Sequence, residues 1–185
     1  MLQEIPHGRF SRRLLRLSRI VQELLILARA DLGHLQMRTE TFFLEDLVED
    51  ALSSARVLAH RKGVIVDAPP APEVQLSGDA QLLGMLLVNL FDNAVRHSSP
   101  GQTVRLAMEH SGAAITLRVA DEGPGIAAEH QPHIFERFYS GNRGEGTGLG
   151  LAIARWVAEI HQGALHLERS QPGETVFRLQ LPAAV

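Results

Sequence analysis

An alternating run of glycines that passes directly into a helical pattern is the feature that most restricts the fold of this 185-residue chain. Glycines occupy positions 144, 146, 148 and 150, and apolar residues then recur at helical spacing as far as Ile160. Glycine adopts backbone angles that other residues avoid, and it lets the backbone approach a ligand closely. The first turn of a helix has unpaired N–H groups and the positive end of the helix dipole. The sequence therefore predicts a turn and a helix start that together can seat a phosphate group.

This segment differs from three familiar glycine-rich motifs. The last glycine is not followed by Lys and then Ser or Thr, as a Walker P-loop requires. The spacing and the lack of a strong preceding strand exclude the dinucleotide fingerprint. Its position late in the chain does not fit the glycine loop of protein kinases. Because glycine spacing alone is a weak signal, residues elsewhere in the chain must indicate the function.

The order of helical and strand patterns indicates an α+β fold. Helices are predicted at Phe42–Arg61, Asp79–Arg96 and Gly148–Ile160, and strands at Val64–Val66, Val74–Leu76, Thr103–His110, Ala113–Ala120, Ala164–Glu168 and Thr175–Leu181. The second helix is so apolar that most of it must be buried. The strands come in antiparallel-looking pairs with helices between the pairs. We therefore predict a two-layer α/β sandwich in which a mixed, mostly antiparallel sheet has helices on one face, preceded by an N-terminal helix.

That N-terminal helix is predicted from a basic segment with apolar residues at alternating spacings of three and four. The residues of this seam are Leu14, Leu17, Val21, Leu24 and Ala28. The seam covers only about two heptads, so it fits an amphipathic helix on a globular core as well as a coiled coil.

Composition excludes several classes of protein. The net charge of −3 implies no general attraction to nucleic acid or to a membrane surface. The chain has no cysteines, which excludes disulfides and thiolate metal sites and fits a reducing compartment. No uncharged run approaches the roughly 18 residues of a membrane span, and we find no signal peptide.

Two asparagines on the long apolar helix are candidate metal ligands. Asn89 and Asn93 are four residues apart and therefore share one face of the helix. Their amide oxygens are hard ligands that suit Mg²⁺, an ion that takes few protein ligands beside waters and phosphates. The alternative is a satisfied polar helix end that also includes Arg96 and His97.

Two further segments could contribute to a site. Asp121 stands at a strand end beside Gly123 and Gly125, where a carboxylate can accept a hydrogen bond from an exocyclic amine, although a plain turn has the same composition. Phe135 and Phe138 are spaced one helical turn apart, which favours packing in the core. The polar segment that follows fits either a mobile lid or a surface loop.

Taken in order, these segments resemble the nucleotide-binding boxes of sensor histidine kinases. Asn89–Ser98 resembles the N box, Asp121–Gly125 the G1 box, Phe135–Phe138 the F box and Gly146–Gly150 the G2 box. The resemblance covers roughly Phe42 to Pro182 and extends to the superfamily that includes the gyrase, Hsp90 and MutL ATPase domains. It implies that residues 1–41 are a partial dimerisation (DHp) segment, its second helix, with a linker. Residues 42–185 are then the catalytic ATP-binding domain.

The resemblance also implies ATP and Mg²⁺ as ligands and a role for each matching residue. Asn93 would coordinate Mg²⁺ with help from Asn89, Arg96 would reach the phosphates, and these three are the implied catalytic residues. Asp121 would accept a hydrogen bond from the adenine amino group, and Thr175 is a weaker candidate for the floor of that pocket. The implied ATP-binding residues are Asn89, Asn93, Arg96, His97, Asp121, Gly123, Gly125, Ile126, Phe138, Arg143, Gly146, Thr147, Gly148, Leu149, Gly150 and Thr175.

The implied reaction is transfer of the γ-phosphoryl group of ATP to a histidine on a DHp domain. A response-regulator receiver domain would act downstream, and no nucleic acid would take part. The domain would be cytoplasmic, and the parent protein would be a homodimer through the N-terminal helix and anchored in the bacterial inner membrane.

The chain departs from the family in two places. The phosphoacceptor motif, a histidine followed by an acid and then Arg-Thr-Pro, is absent, and His7 lies in the wrong context. We therefore expect phosphoryl transfer to a histidine outside this chain and little autophosphorylation. The lid is short, because only residues 139–145 separate the F box from the G2 glycines. A nucleotide-dependent regulatory binding module without transfer activity remains an alternative, as does a serine kinase of the anti-sigma type, although the resemblance to a dimerisation helix argues against the latter.

Overall fold

The computed structural model describes residues 20–30, 32, 35–141 and 146–183, and the chain forms two compact units, Met1–Gln36 and Met37–Val185. In the first unit, residues 20–30 form a helix, α1, on which Val21 and Leu24 of the predicted seam are 47% and 39% exposed. Leu14 and Leu17 of the seam lie outside the described residues. Among the helices that are described, none combines the length and apolar character needed to cross a bilayer.

The second unit alternates short strands with three helices. Its elements are β1 (Glu40–Phe43), α2 (Leu44–Lys62), β2 (Ile65–Asp67), β3 (Gln75–Gly78), α3 (Ala80–His97), β4 (Thr103–Ser111), β5 (Ala114–Asp121), a 3-10 turn (Gln131–His133), α4 (Gly150–Ile160), β6 (Ala164–Gln171) and β7 (Glu174–Pro182).

Five of these strands form one mixed sheet in the order β2-β4-β5-β7-β6. The β2–β4 pair is parallel and the other three pairs are antiparallel. Burial alternates along β5, where Ile115, Leu117 and Val119 are buried while Thr116 and Arg118 are half-buried. Such alternation is typical of a sheet with one face packed on the core and the other face exposed to solvent. The predicted α+β class with a mostly antiparallel sheet is confirmed.

The three helices cover one face of the sheet. Helix α3 contacts α2, α4, β4 and β5, and α4 contacts β6 and β7. The side chains of Leu86, Leu90 and Phe91 on α3 are at most 1% exposed, and those of Ile153 and Val157 on α4 are fully buried. The central position of α3 explains its unusually apolar sequence and confirms that it is largely buried.

Hydrogen bonds at the start of α3 connect it to the end of α4 and to the first residues of the unit. Asp79 is the N-cap, and its Oδ1 accepts from the backbone N–H of Leu82 at 3.1 Å, while Oδ2 accepts from the N–H of Arg38 at 3.0 Å. The N–H of Asp79 donates to Nε2 of His161 at 2.9 Å. A methyl group on Gly78 would lie 2.5 Å from the imidazole ring of His161, so this contact requires a residue without a side chain.

The other end of α3 is held by a lysine from α2. Nζ of Lys62 donates to the carbonyl oxygens of Val95, at 3.1 Å, and of Arg96. A cation at the C-terminus of a helix pairs with the last carbonyls and with the negative end of the dipole. Lys62 therefore fixes the turn from which Arg96 projects.

The sequence predicts a linker or a short extended piece over Ala30–Thr41 and a helix from Phe42, but it does not identify strand β1 or its partner. In the structure, Phe43 is the N-cap of α2 with extended angles, and Glu40–Phe43 pairs with β3 from Gln75 to Gly78. This two-stranded sheet depends on a partner more than 30 residues away. A four-residue strand gives no readable alternation, so the sequence alone could not reveal the pairing.

Candidate functional site

Both predicted asparagines lie on α3, and Asn89 lies where this helix meets the start of α4. Asn89 is 5% exposed and Asn93 is half-buried. A methyl group on Gly150, the first residue of α4, would lie 3.3 Å from Oδ1 of Asn89. The structure therefore brings the amide of Asn89 against the N-terminus of the helix that follows the glycine run.

The glycine run closes back onto α3. A methyl group on Gly146 would lie 3.6 Å from Nη1 of Arg96, so the guanidinium group stands beside this turn. Gly148 has φ +69°, and a methyl group there would lie 2.5 Å from the carbonyl carbon of Phe138. The N–H of Phe138 donates to the carbonyl of Gly148 at 2.9 Å. Only glycine fits this close crossing of two backbone segments.

Asp121 lies at the end of β5 and is almost completely buried, with only 4% of its surface exposed. One of its carboxylate oxygens accepts a hydrogen bond from the N–H of Gly123 at 2.9 Å. Burial raises the pKa of Asp121 to about 6, and the hydrogen bond from Gly123 opposes that rise. A side chain on Gly123 would collide with the Asp121 carboxylate and with the carbonyl of His97, both at 2.7 Å. The loop therefore lies directly against the last turn of α3.

Strand β7 places Thr175 next to Asp121. Thr175 is 3% exposed and is paired with Asp121 across β5 and β7. On the next strand Ser170 is paired with Thr175, and its Oγ accepts from the N–H of Ile126 at 2.8 Å. Sequence reasoning did not find Ser170. The signal was present, because a two-residue turn at Pro172-Gly173 places Ser170 opposite Thr175.

The spacing of Phe135 and Phe138 predicts that both pack in the core, but Phe138 does not. It is 65% exposed with φ +64°, whereas the ring of Phe135 packs edge-on against Phe177 at 6.2 Å. The helical spacing of the two phenylalanines misled the prediction, because the chain is not helical at Phe138 and turns there to meet Gly148. This crossing of two backbone segments exposes the ring.

The remaining predicted residues are placed as follows. Arg96 and His97 are exposed at the end of α3, and Leu149 is fully buried as the N-cap residue of α4. Oγ1 of Thr147 accepts from the N–H of Leu149 at 3.2 Å. Arg143 lies outside the described residues.

The site thus combines two amides, a guanidinium group, a helix N-terminus and a buried carboxyl group. Within the described part of the chain, no group of three His, Cys, Asp or Glu side chains could hold a metal ion. A metal here would depend on the amide oxygens of Asn89 and Asn93 and on oxygens of a ligand. That donor set fits Mg²⁺ accompanied by phosphates, since Mg²⁺ retains several waters and few protein ligands.

The family comparison matches residues 78–185, more than half of the chain, to the histidine kinase-, DNA gyrase B- and HSP90-like ATPase family. Among curated relatives, the probable sensor histidine kinase TcrY of Mycobacterium tuberculosis is 37% identical over 172 residues, which cover 90% of this chain and 36% of TcrY. The sensor histidine kinase TrcS of the same species is 38% identical over 176 residues, covering 90% of this chain and 34% of TrcS. The chain thus spans about a third of the length of these relatives.

Solved structures that resemble this chain include histidine kinases as well. The mycobacterial sensor histidine kinase MprB aligns with a TM-score of 0.69 and 30% identity, over 78% of this chain and 97% of that chain. Full-length ShkA, solved in complex with AMPPNP, aligns with a TM-score of 0.78 and 26% identity, over 100% of this chain and 40% of that chain. The chain therefore belongs to the histidine kinase-, gyrase B- and HSP90-like ATPase family, as a catalytic ATPase domain of the sensor histidine kinase type.

Proposed function

We propose that this domain binds Mg–ATP between α3 and the glycine run, and that it supplies the γ-phosphoryl group to a histidine on a DHp domain. The observation that carries the proposal is the approach of α3 to the glycine run at two points. Arg96 stands beside Gly146, and Asn89 stands beside Gly150. These contacts put side chains suited to a metal and to phosphates next to a helix N-terminus, which favours anions.

Asn89 and Asn93 are the residues that would hold Mg²⁺. When bound, Mg²⁺ neutralises negative charge on phosphate oxygens. The amide of Asn89 is buried, with its oxygen close to the first residue of α4. Asn93, one turn further along α3, is half-buried and can reach solvent and ligand.

Arg96 and the backbone N–H groups at the start of α4 would bind the phosphates. Phosphoryl transfer needs little covalent chemistry from the protein, and positioning and charge neutralisation carry most of the catalysis. The Lys62 contacts with the last carbonyls of α3 hold the backbone of Arg96 in place for that role. Gly146, Thr147, Gly148 and Leu149 complete the turn that would surround the phosphates.

Asp121 and Thr175 would bind the adenine base. As a carboxylate, Asp121 accepts a hydrogen bond from an exocyclic amino group, and Gly123 holds one of its oxygens in place. Thr175 lies beside it on the neighbouring strand and can donate or accept. The other residues assigned to nucleotide binding are His97, Gly125, Ile126, Phe138 and Arg143.

Partners and location follow from the same assignment. The phosphoacceptor histidine would come from the parent's own DHp domain or from its dimer mate, and the phosphoryl group would pass to a response-regulator receiver domain. The parent would dimerise through its N-terminal helix, with this domain in the cytoplasm and the parent anchored in the inner membrane. Alone, this chain should show little autophosphorylation, because the motif with the phosphoacceptor is missing from its sequence.

The metal assignment is tested by Asn93→Ala with calorimetry. We expect wild-type protein to bind AMPPNP more tightly with Mg²⁺ than with EDTA, and the variant to lose that difference, because the amide oxygen is one of few protein ligands. Gln81→Ala is the matched control, since Gln81 is exposed on the first turn of the same helix. Unchanged Mg²⁺-dependent affinity in Asn93→Ala would remove the basis of the metal site.

Transfer activity is tested by adding a separate hairpin domain that bears a phosphoacceptor histidine. We expect radiolabel from ATP to appear on the hairpin histidine when this domain is added. Tight nucleotide binding without any labelling of the hairpin would favour the regulatory binding module. Labelling of a serine would favour the serine kinase.

A further inference from the structure

Three polar side chains form a row across adjacent strands at one end of the sheet. Asp121 on β5 is paired with Thr175 on β7, and Thr175 is paired with Ser170 on β6. Directly paired residues project from the same face of a sheet. Asp121 and Thr175 are 4% and 3% exposed, and Ser170 is half-buried. The row therefore extends the pocket assigned to the nucleobase by one strand.

The hydroxyl group of Ser170 connects this row to the loop after β5. Its Oγ accepts from the N–H of Ile126 at 2.8 Å and lies 3.5 Å from Oγ1 of Thr175. Oγ of Ser170 accepts from the Ile126 N–H and keeps its own proton, which can be donated to Oγ1 of Thr175. The Thr175 proton is then left for donation to a ligand.

The tip of the β6–β7 hairpin contacts the loop after β5 at two more points, Gly123 and Gly125. The N–H of Gly173 donates to the carbonyl of Gly123 at 2.8 Å, and the N–H of Gly123 donates to Asp121. Gly125 has φ +78° and lies so close to Gln171 that a methyl group would meet its carbonyl carbon at 2.6 Å. The orientation of the Asp121 carboxylate therefore depends on contacts between the loop and the hairpin tip.

We propose that Ser170 is a positioning residue that sets base selectivity. Its hydroxyl orients Thr175 as a donor beside Asp121 as an acceptor. The inference depends on the proposed nucleotide site. An acceptor next to a donor matches adenine, which offers an amino group beside a ring nitrogen acceptor. Guanine offers a carbonyl beside a ring N–H at the same edge, so both contacts become mismatched, and mismatched buried polar groups discriminate strongly.

The test compares the affinities of Mg–AMPPNP and Mg–GMPPNP by calorimetry for wild type, Ser170→Ala and Ser170→Thr. We expect Ser170→Ala to reduce the adenine-to-guanine preference by about tenfold, the size of one buried polar mismatch. Ser170→Thr keeps the hydroxyl and should keep most of the preference. Ser111→Ala, which removes an exposed hydroxyl from β4, is the control and should leave the preference unchanged.

An unaltered preference in folded Ser170→Ala overturns the inference, even if affinity for both nucleotides falls, because a purely structural serine would weaken both alike. Failure of wild type to bind AMPPNP would instead overturn the proposed nucleotide site. If Ser170→Ala does not fold, Ser170→Cys replaces it, since a thiol of similar size is a poor acceptor. Amide exchange in wild type gives an independent check. The Ile126 N–H should exchange slowly, and exchange at the rate of an unpaired amide would contradict its bond to Ser170.

Discussion

The buried carboxyl group of Asp121 should make the domain less stable at neutral pH than an uncharged side chain would. Burial raises the pKa of this group from its ordinary value of 3.8 to about 6. A group whose pKa is higher in the folded state than in the unfolded state stabilises the fold fully below its unfolded pKa. That stabilisation is lost as the pH rises through the folded pKa. For Asp121, the loss falls between about pH 3 and pH 7 and amounts to about 3 kcal/mol in total.

The test is Asp121→Asn, measured by urea unfolding at several pH values between 4 and 7.5. The amide cannot ionise, so the variant lacks this loss, while every other titrating group is common to both proteins. The free energy of unfolding of the variant should therefore gain about 2 kcal/mol relative to wild type between pH 4 and pH 7. The comparison uses the pH dependence, because the buried amide NH₂ changes stability equally at all pH values.

Glu122→Gln is the matched control, because Glu122 is the next residue and its pKa is displaced in the opposite direction. The N–H of Thr103 and the Arg105 guanidinium lower the pKa of Glu122. Its stabilising contribution is present above the ordinary value of 4.5 and is lost as pH falls. Glu122→Gln should therefore lose stability at neutral pH relative to acid pH. Parallel pH profiles for wild type and Asp121→Asn would refute the reasoning about Asp121.

Two other substitutions test the backbone around the site. Gly148→Ala should weaken Mg–AMPPNP binding at least tenfold, because the methyl group meets Phe138 at 2.5 Å in a left-handed conformation, a strain of about 1–3 kcal/mol; unchanged affinity by calorimetry would contradict this. Lys62→Met should lower the free energy of unfolding by about 1–2 kcal/mol, because the last carbonyls of α3 lose their cation. Lys62→Arg should recover most of that loss in urea unfolding, and equal losses in both variants would contradict the role of the charge.

Local patterns in the sequence were sufficient for the elements that position the site. Helix α3 is read from its own apolar residues, and Asn89 and Asn93 share a face by spacing alone. The two long hairpins follow from turn residues between alternating strands. These features depend on residues close together in the chain, where periodicity and turn chemistry are direct physical signals.

Features that depend on distant segments could not be predicted in the same way. The ring of Phe138 is exposed because the backbone there crosses Gly148, which no helical spacing reveals. Strand β1 exists because β3 lies alongside it. The bond between Ser170 and Ile126 requires the register of β6 against β7 and the path of the loop after β5 together.

The contact between Gly78 and His161 links two positions that are more than 80 residues apart. Any side chain at 78 must displace the ring, and loss of the ring leaves the Asp79 N–H without its acceptor. Neither position can therefore vary alone without disturbing the start of α3. We expect homologous chains to vary at these two positions jointly: where residue 78 acquires a side chain, residue 161 should become smaller and Asp79 should find a different acceptor.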